Sequence, residues 1–561
     1  TAGSTHVTYT PGVGYRPLAV SEYATDFTGP ATNNVRISGD FAAPSGSTAN
    51  ALLFAPAVAA TLSGGPINVT SGSFIYSPTV SSTGTVSAGL NFGAAEGVIF
   101  TTATLTISGV IDGTNGLTFA SPSASALTLT GLNTYTGNTQ VNAGQLTFSG
   151  TIGSGPGPVG QGTGALILNV GSATARIWVN GDTTINRNLI VQGTPNPFFI
   201  AGFGSTVNFN ITMNGNVSLQ RRLAIENGSL PTTFNGVISG PGSLTDSFSS
   251  LVVLNGNNTY SGGTEISTGT YELGSDTGFG TGTVYINSTG TIRGGGVANR
   301  TIGNNFLYEA NPTFSGTAPL NLTGTTDLNG NRTITTTNTA TTTISGLVTN
   351  GGLTKAGTGI LALTSSTGNS YTGGTIVNAG TLLVNNTSGS GTGSGTVSIA
   401  AAGTLSGTFS VSGLTSIAGN FTPAGNGNTG TDNFGNALTF ASTAVSTFEL
   451  GGAGAGQFDH VNVAQLLTLS GTINVVTING FVAQNGMSFS LFSFGSINAS
   501  GFNIANLNTS GAQTAPGTFF DTSTFTTNGI ITVVPEPSTF AMMGVGASML
   551  VAMMRFRRRS S

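Results

Sequence analysis

Only two histidines, His6 and His460, occur in the chain, and they lie at opposite ends of it. A zinc centre or a histidine-activated nucleophile needs several such groups gathered together, and neither histidine sits in an H-E-x-x-H pattern. Asp459-His460 in "QFDHVNV" reads as a strand start whose Asp caps a turn. Cysteine is absent, which excludes thiolate nucleophiles, thiolate metal sites and disulfides. The densest acidic group is Glu226, Asp246, Glu265, Glu272 and Asp276. Sugar-cleaving chemistry would need two carboxyls facing one bond, and the set able to supply them is Asp246, Glu265 and Arg221 or Arg222.

Three further motifs reduce to turns or strands. "GPGPVG" at Gly155–Gly160 fits G-x-G-x-x-G, but its prolines forbid the helix start that would hold a pyrophosphate. "GNTGTDNFG" at Gly427–Gly435 departs by one position, Asn428, from a calcium-binding nonapeptide, and a single copy around Asp432 lacks the successive turns that such a site requires. "LPTTF" at Leu230–Phe234 lies mid-chain with Phe234 where a sortase signal has Gly. No catalytic residue, metal or cofactor is expected, and a β-helix polysaccharide lyase or hydrolase is the alternative reading.

The elements behind these residues are written in the repeats. "LNTYTGNTQVNAGQLTFSG", "NNTYSGGTEISTGTYELG" and "NSYTGGTIVNAGTLLVNN" align on Tyr135, Tyr260 and Tyr371, each followed nine positions later by Gly144, Gly269 or Gly380. Upstream blocks "ISGVIDGTNGLTF", "FNGVISGPGSLTD" and "ISGLVTNGGLTKAG" place Gly109, Gly236 and Gly346 ahead of each Tyr by 26, 24 and 25 residues. Alternation such as Leu127-Thr-Leu129 and Leu361-Ala-Leu363 predicts short strands with one apolar face, and frequent glycines predict turns. Helical periodicity is absent from the body. A β-solenoid explains the low charge better than a sandwich array, because a charge stacked on its twin at about 4.8 Å is repelled.

Those linked blocks, over residues 107–150, 234–274 and 344–385, resemble the autotransporter-associated β-strand repeats of bacterial surface proteins. The resemblance implies a right-handed parallel β-helix that is exported and displayed on the surface. A membrane β-barrel of about a dozen strands, which usually ends such proteins, is not visible. Residues 436–534 hold only a few alternating strands, suited to capping or extending the solenoid.

Charge bounds the partners. The chain has 14 Lys+Arg and 18 Asp+Glu, and before Pro535 the net charge is −7 with Lys355 the sole lysine. Nucleic-acid binding wants a basic stripe and is set aside. Opening on Thr1 rather than Met, the sequence is expected to have had an export signal removed or left out.

The C-terminus breaks with all this. Pro535-Glu536-Pro537 is followed by an apolar run, Phe540–Met554, and then Arg555, Arg557, Arg558 and Arg559. As a helix the run spans about 22 Å, short of the roughly 30 Å core of a bilayer, with the arginines on the cytoplasmic side. The two prolines are expected to break regular structure and leave an accessible peptide. This layout resembles the PEP-CTERM sorting signal. It implies a Gram-negative-type bacterium with exopolysaccharide, transient inner-membrane anchoring, and removal of the tail by an exosortase. A permanent single-span anchor on a surface receptor is the bland alternative.

The expected organisation is a β region over 1–106, a β-solenoid over 107–425, a second β region over 426–534 and the sorting signal over 535–561. The expected role is surface display, adhesion or exopolysaccharide association, with self-association a further possibility for a stacked, weakly charged chain.

Overall fold

A computed structural model describes residues 5–536, apart from 11–13, 123, 124, 172, 195–200, 206, 207, 247, 249 and 250, together with residue 549. The chain is an all-β parallel solenoid of about 18 turns in all, and it divides into two units, Thr1–Gly324 and Thr325–Ser561.

In the first unit a ladder of ten parallel strands runs from Val35–Ile37 to Ile238–Ser239. One turn takes 21 residues between the partners Leu223 and Leu244, and 28 between Leu189 and Val217. Most strands are three to five residues long, so the period of two puts the outer residues inward and the middle one outward. Inward residues stack like on like: Leu62, Val86, Ile107 and Leu129 form one column in register and are fully buried. Each such side chain contributes about 1.5–3 kcal/mol of burial free energy. An antiparallel hairpin, Val7–Thr10 with Gly14–Pro17, precedes the ladder.

The second unit repeats the scheme. Strands Thr342–Ile344, Ile360–Leu363, Gly380–Val384, Gly403–Gly407 and Asn420–Pro423 stack in parallel. Val445–Leu450, Thr472–Thr477 and Leu507–Gly511 continue them, so the strands expected in 436–534 extend the solenoid. Its core is aromatic there: Phe409, Phe421, Phe434 and Phe440 meet with ring centroids 5.5 to 6.5 Å apart, mostly in the edge-on geometry favoured by ring quadrupoles. Three antiparallel strands, Ser488–Ser490, Ile530–Pro535 and Thr518–Asp521, close the described part.

One expectation is corrected here. Pro535 does not break the strand at the junction: Ile530–Pro535 pairs through to Pro535 opposite Thr518, and the Glu536 amide donates to the Gly517 carbonyl at 2.8 Å. Ile530–Pro535 is the middle strand, but its neighbour Ser488–Ser490 pairs only as far as Thr532, so at Pro535 that side is open and the missing N–H has no ladder partner to lose. Pro537, the apolar run and Arg555, Arg557, Arg558 and Arg559 lie outside the described residues. Among the described residues no helix is long and apolar enough to cross a membrane.

Candidate functional site

The three repeats build one recurring clamp. Each anchor tyrosine is buried and pairs its hydroxyl with the threonine four residues on: Tyr135 with Thr139 at 2.8 Å, Tyr260 with Thr264 at 2.6 Å and Tyr371 with Thr375 at 2.7 Å. Burial pushes all three phenols well above their ordinary range, so they stay neutral donors. A glycine of the next turn lies on the backbone of each: Gly160 over Tyr135, Gly280 over Tyr260 and Gly393 over Tyr371. All three have positive φ, and any side chain there would collide with the tyrosine carbonyl.

Two residues before each tyrosine sits a buried asparagine that bridges three turns. Asn133 Oδ1 accepts from the Ile111 amide at 2.7 Å, and its Nδ2 donates to the Pro158 carbonyl at 2.6 Å. Asn258 does the same for Ile238 and Gly278 at 2.8 and 2.7 Å, and Asn369 for Val348 and Gly391 at 2.9 and 2.7 Å. The donating amides come two residues after Gly109, Gly236 and Gly346, which explains why the upstream block recurs with the downstream one. Asn258→Ala is expected to leave a buried donor and a buried acceptor unpaired, costing about 2–4 kcal/mol, whereas Tyr260→Phe costs about 1 kcal/mol. Amide exchange at Ile238 measures it, the asparagine variant accelerating far more than the tyrosine variant.

The glycines nine residues after each tyrosine meet three different neighbours. Beneath Val141 and Val377 the preceding turn supplies Phe119 and Lys355, and in the middle repeat Asp246 directly follows Thr245, the partner of Glu265. Phe119 packs apolar surface toward Gly144. The Asp246 carboxylate accepts from the amides of Ser267, Thr268 and Gly269 at 2.8, 3.0 and 2.8 Å. Lys355 is fully buried and donates to the carbonyls of Ala356, Gly357 and Ala379 at 2.8, 2.7 and 3.1 Å. Burial lowers its ammonium to about 8. An anion in one turn and a cation in another thus satisfy the backbone of the same bend.

The residues considered for catalysis are not assembled. Alternation sends Asp246 inward and Glu265 outward, on opposite faces of the sheet. Asp246 is saturated by backbone amides. Glu265 stands 3.7 Å from Arg222, and Arg221 is turned onto the Gly193 carbonyl at 2.8 Å. Glu226 pairs with Arg176 at 2.9 Å, Glu272 with Arg293 at 2.7 Å, and Asp276 accepts from the Thr301 amide at 3.1 Å. "GPGPVG" is a bend and turn with no helix after it, and "LPTTF" includes the wall strand Pro231–Phe234.

His6 is held by the Tyr23 hydroxyl and Ser73 Oγ at 3.0 Å each and lowered by burial to about 4. His460 lies 2.6 Å from the Ser490 carbonyl and 2.9 Å from Ser493 Oγ. Asp459 accepts from the Gly430 and Glu449 amides at 3.2 and 2.8 Å, and Asp432 accepts from the Phe409 amide at 3.1 Å. Among the described residues no cluster of three or more such side chains is arranged to hold a metal ion.

Parallel turns locked by repeated Asn-x-Tyr clamps thus precede a Pro-Glu-Pro junction in the sequence. The chain carries the passenger-associated-transport-repeat at residues 124–148, 251–270 and 353–384, spanning all three tyrosines and their glycines, and the PEP-CTERM protein-sorting motif at 533–559. It is also similar to the adhesin BmaC autotransporter of Brucella suis biovar 1 (strain 1330), with 31% identity over 265 residues. That match covers 34% of this chain and 8% of the adhesin's length. Repeats and motif together point to an exported protein of a Gram-negative bacterial surface whose tail is processed by an exosortase.

The sequence reading passed over the clamp asparagines and threonines, although Asn-x-Tyr stands in all three repeats as "NTY", "NTY" and "NSY".

Proposed function

We propose that this chain is a non-catalytic protein of the cell surface or extracellular matrix whose right-handed solenoid serves display, adhesion or exopolysaccharide association. The apolar run Phe540–Met554 holds the precursor in the inner membrane, Arg555, Arg557, Arg558 and Arg559 keep its end in the cytoplasm, and exosortase cuts near Pro535-Glu536-Pro537. The observation that carries this reading is the conjunction of passenger-type repeats with a terminal sorting motif in one chain. The saturation of Asp246 and the pairing of the other acids support a scaffold role, since a carboxylate already holding three amides is not free to move protons.

Labelling of intact, unpermeabilised cells with an antibody against the first unit tests it. Signal on wild-type cells, lost when the exosortase is deleted, is the expected result. Signal that appears only after permeabilisation contradicts it.

A further inference from the structure

One face of the first unit carries a regular array of unengaged hydroxyls. Residues 59–63, 83–87, 104–108, 126–130 and 145–149 read "AATLS", "TGTVS", "TLTIS", "ALTLT" and "QLTFS", and the strands that contain them stack in register. Their middle residues Thr61, Thr85, Thr106 and Thr128 form an outward column four turns tall, which ends against Thr147, a buried residue whose Oγ1 accepts from Gln145 Nε2 at 3.3 Å. At about 4.8 Å per turn the column is roughly 14 Å long. Exposed Thr83 and Thr104 flank it on one side, and exposed Ser87, Ser108 and Thr130 on the other, each about 6.7 Å away along the strand. Asp40, whose carboxylate takes the Thr61 amide at 2.7 Å, borders the column at one end. At the other end Trp178 pairs with Thr147 in register, and Arg176 lies 5.8 Å from its ring.

The contrast with the asparagine ladder decides what this face is for. Asn186, Asn214, Asn235 and Asn255 bond one another from turn to turn at 2.7, 2.7 and 2.8 Å and so serve the solenoid itself. Among the described residues the side-chain hydroxyls of the half-buried Thr61, Thr85, Thr106 and Thr128 have no hydrogen-bond partner, so their capacity is left for a ligand. The backbone beneath is rigid and the side chains are β-branched, so little entropy remains to be lost on binding.

We propose that this threonine face is a docking surface for an extended, uncharged polysaccharide, a deepening that rests on the surface role proposed above. None of the 25 positions in the five segments carries a charge, which removes the attraction that an acidic polymer or nucleic acid would need. A second copy of the chain is disfavoured because a stable protein interface has an apolar or aromatic centre, and the outward column is threonine throughout. A neutral glycan matches both halves of threonine: its hydroxyls meet the Oγ1 row and its ring faces meet the γ-methyl row. Each contact is weak, and several in a line act together.

The test is co-sedimentation of the full chain with insoluble, uncharged β-glucan particles, with soluble acidic alginate gel as the contrasting matrix. Retention on the glucan is expected to be insensitive to added salt. The quadruple variant T61V/T85V/T106V/T128V keeps shape and β-propensity and is expected to lower retention about tenfold or more through loss of the aligned contacts. The quadruple Thr→Ser variant, which keeps the hydroxyls, retains most of the binding and shows that folding is not the cause. Equal retention of the Val and wild-type chains, salt-sensitive retention on alginate alone, or self-association that disappears in the Val variant would each overturn the proposal. Surface labelling and glucan retention fail separately: the first concerns where the protein goes, the second what the purified chain holds.

Discussion

Acidification from about pH 8 to about pH 5 stabilises the second unit. Three carboxyls, Asp432, Glu449 and Asp459, are buried near one another around the Gly425–Gly430 bend. Asp432 Oδ2 and Glu449 Oε2 make no well-formed hydrogen bond. Burial, with Glu449 nearby, raises Asp459 to about 8, and burial with Asp459 nearby raises Asp432 well above the ordinary carboxylate range. Asp432 and Asp459 thus hold their protons to higher pH in the folded chain than in the unfolded one, where they lose them near pH 4. The folded state therefore binds more protons across the interval, and stability falls as pH rises through it. For Asp459 alone the interval from pH 5 to 8 is worth on the order of 4 kcal/mol.

Lys355, lowered to about 8, titrates between folded and unfolded states above this window and leaves it unaffected. His6, in the first unit, acts in the opposite sense: lowered to about 4, it contributes stability that is lost as pH falls below about 6.5. Thermal unfolding followed separately in the two units by amide exchange checks both signs. Asp432→Asn keeps an acceptor for the Phe409 amide and removes the ionisation, so it is expected to stabilise the second unit at pH 8 and to be neutral at pH 5. A second unit that loosens on acidification, with the Asn variant indistinguishable from wild type at pH 8, contradicts this.

Replacing Pro535, Glu536 and Pro537 by Ala together abolishes the mature form and leaves full-length precursor in the membrane. The apolar run and its arginines are untouched by this change, so anchoring persists while the recognised peptide is lost. Replacing Arg555, Arg557, Arg558 and Arg559 by Ser or Asn has a different outcome. An apolar run shorter than the roughly 20 residues that a bilayer core of about 30 Å requires is poorly held without charges to stop it, and the precursor slips through uncut. Fractionation of cells expressing each variant separates the two. A mature form that survives the triple Ala change removes the motif from the mechanism. The structure adds one constraint: the strand ends at Pro535 and Glu536 is still tethered to Gly517, so the protease meets a peptide anchored immediately on its N-terminal side.

Much of the fold was legible because stacking imposes spacing. A tyrosine that recurs with a fixed downstream glycine and an upstream block one turn back is what a solenoid writes into a sequence, and the clamps show the bond that links the two blocks. The partners were less legible. That Phe119, Asp246 and Lys355 occupy equivalent positions appears only when the turns are superposed, since three unlike side chains face the same bend. Asp246 and Glu265 look like neighbours until alternation puts them on opposite faces. Pro535 misled because a proline rule for strand interiors was applied to a strand end. The threonine column was hidden by composition: in a Gly- and Thr-rich chain a Thr-x-Ser or Thr-x-Thr triplet carries no signal until register aligns several of them.

The central claim, an exported scaffold whose tail is a removable sorting signal, is tested most directly by the intact mass of the protein recovered from the native cell surface. The account predicts a species that lacks the residues beyond the Pro-Glu-Pro region. A full-length chain ending in Arg555–Ser561 on wild-type cells would make the tail a permanent anchor and contradict it.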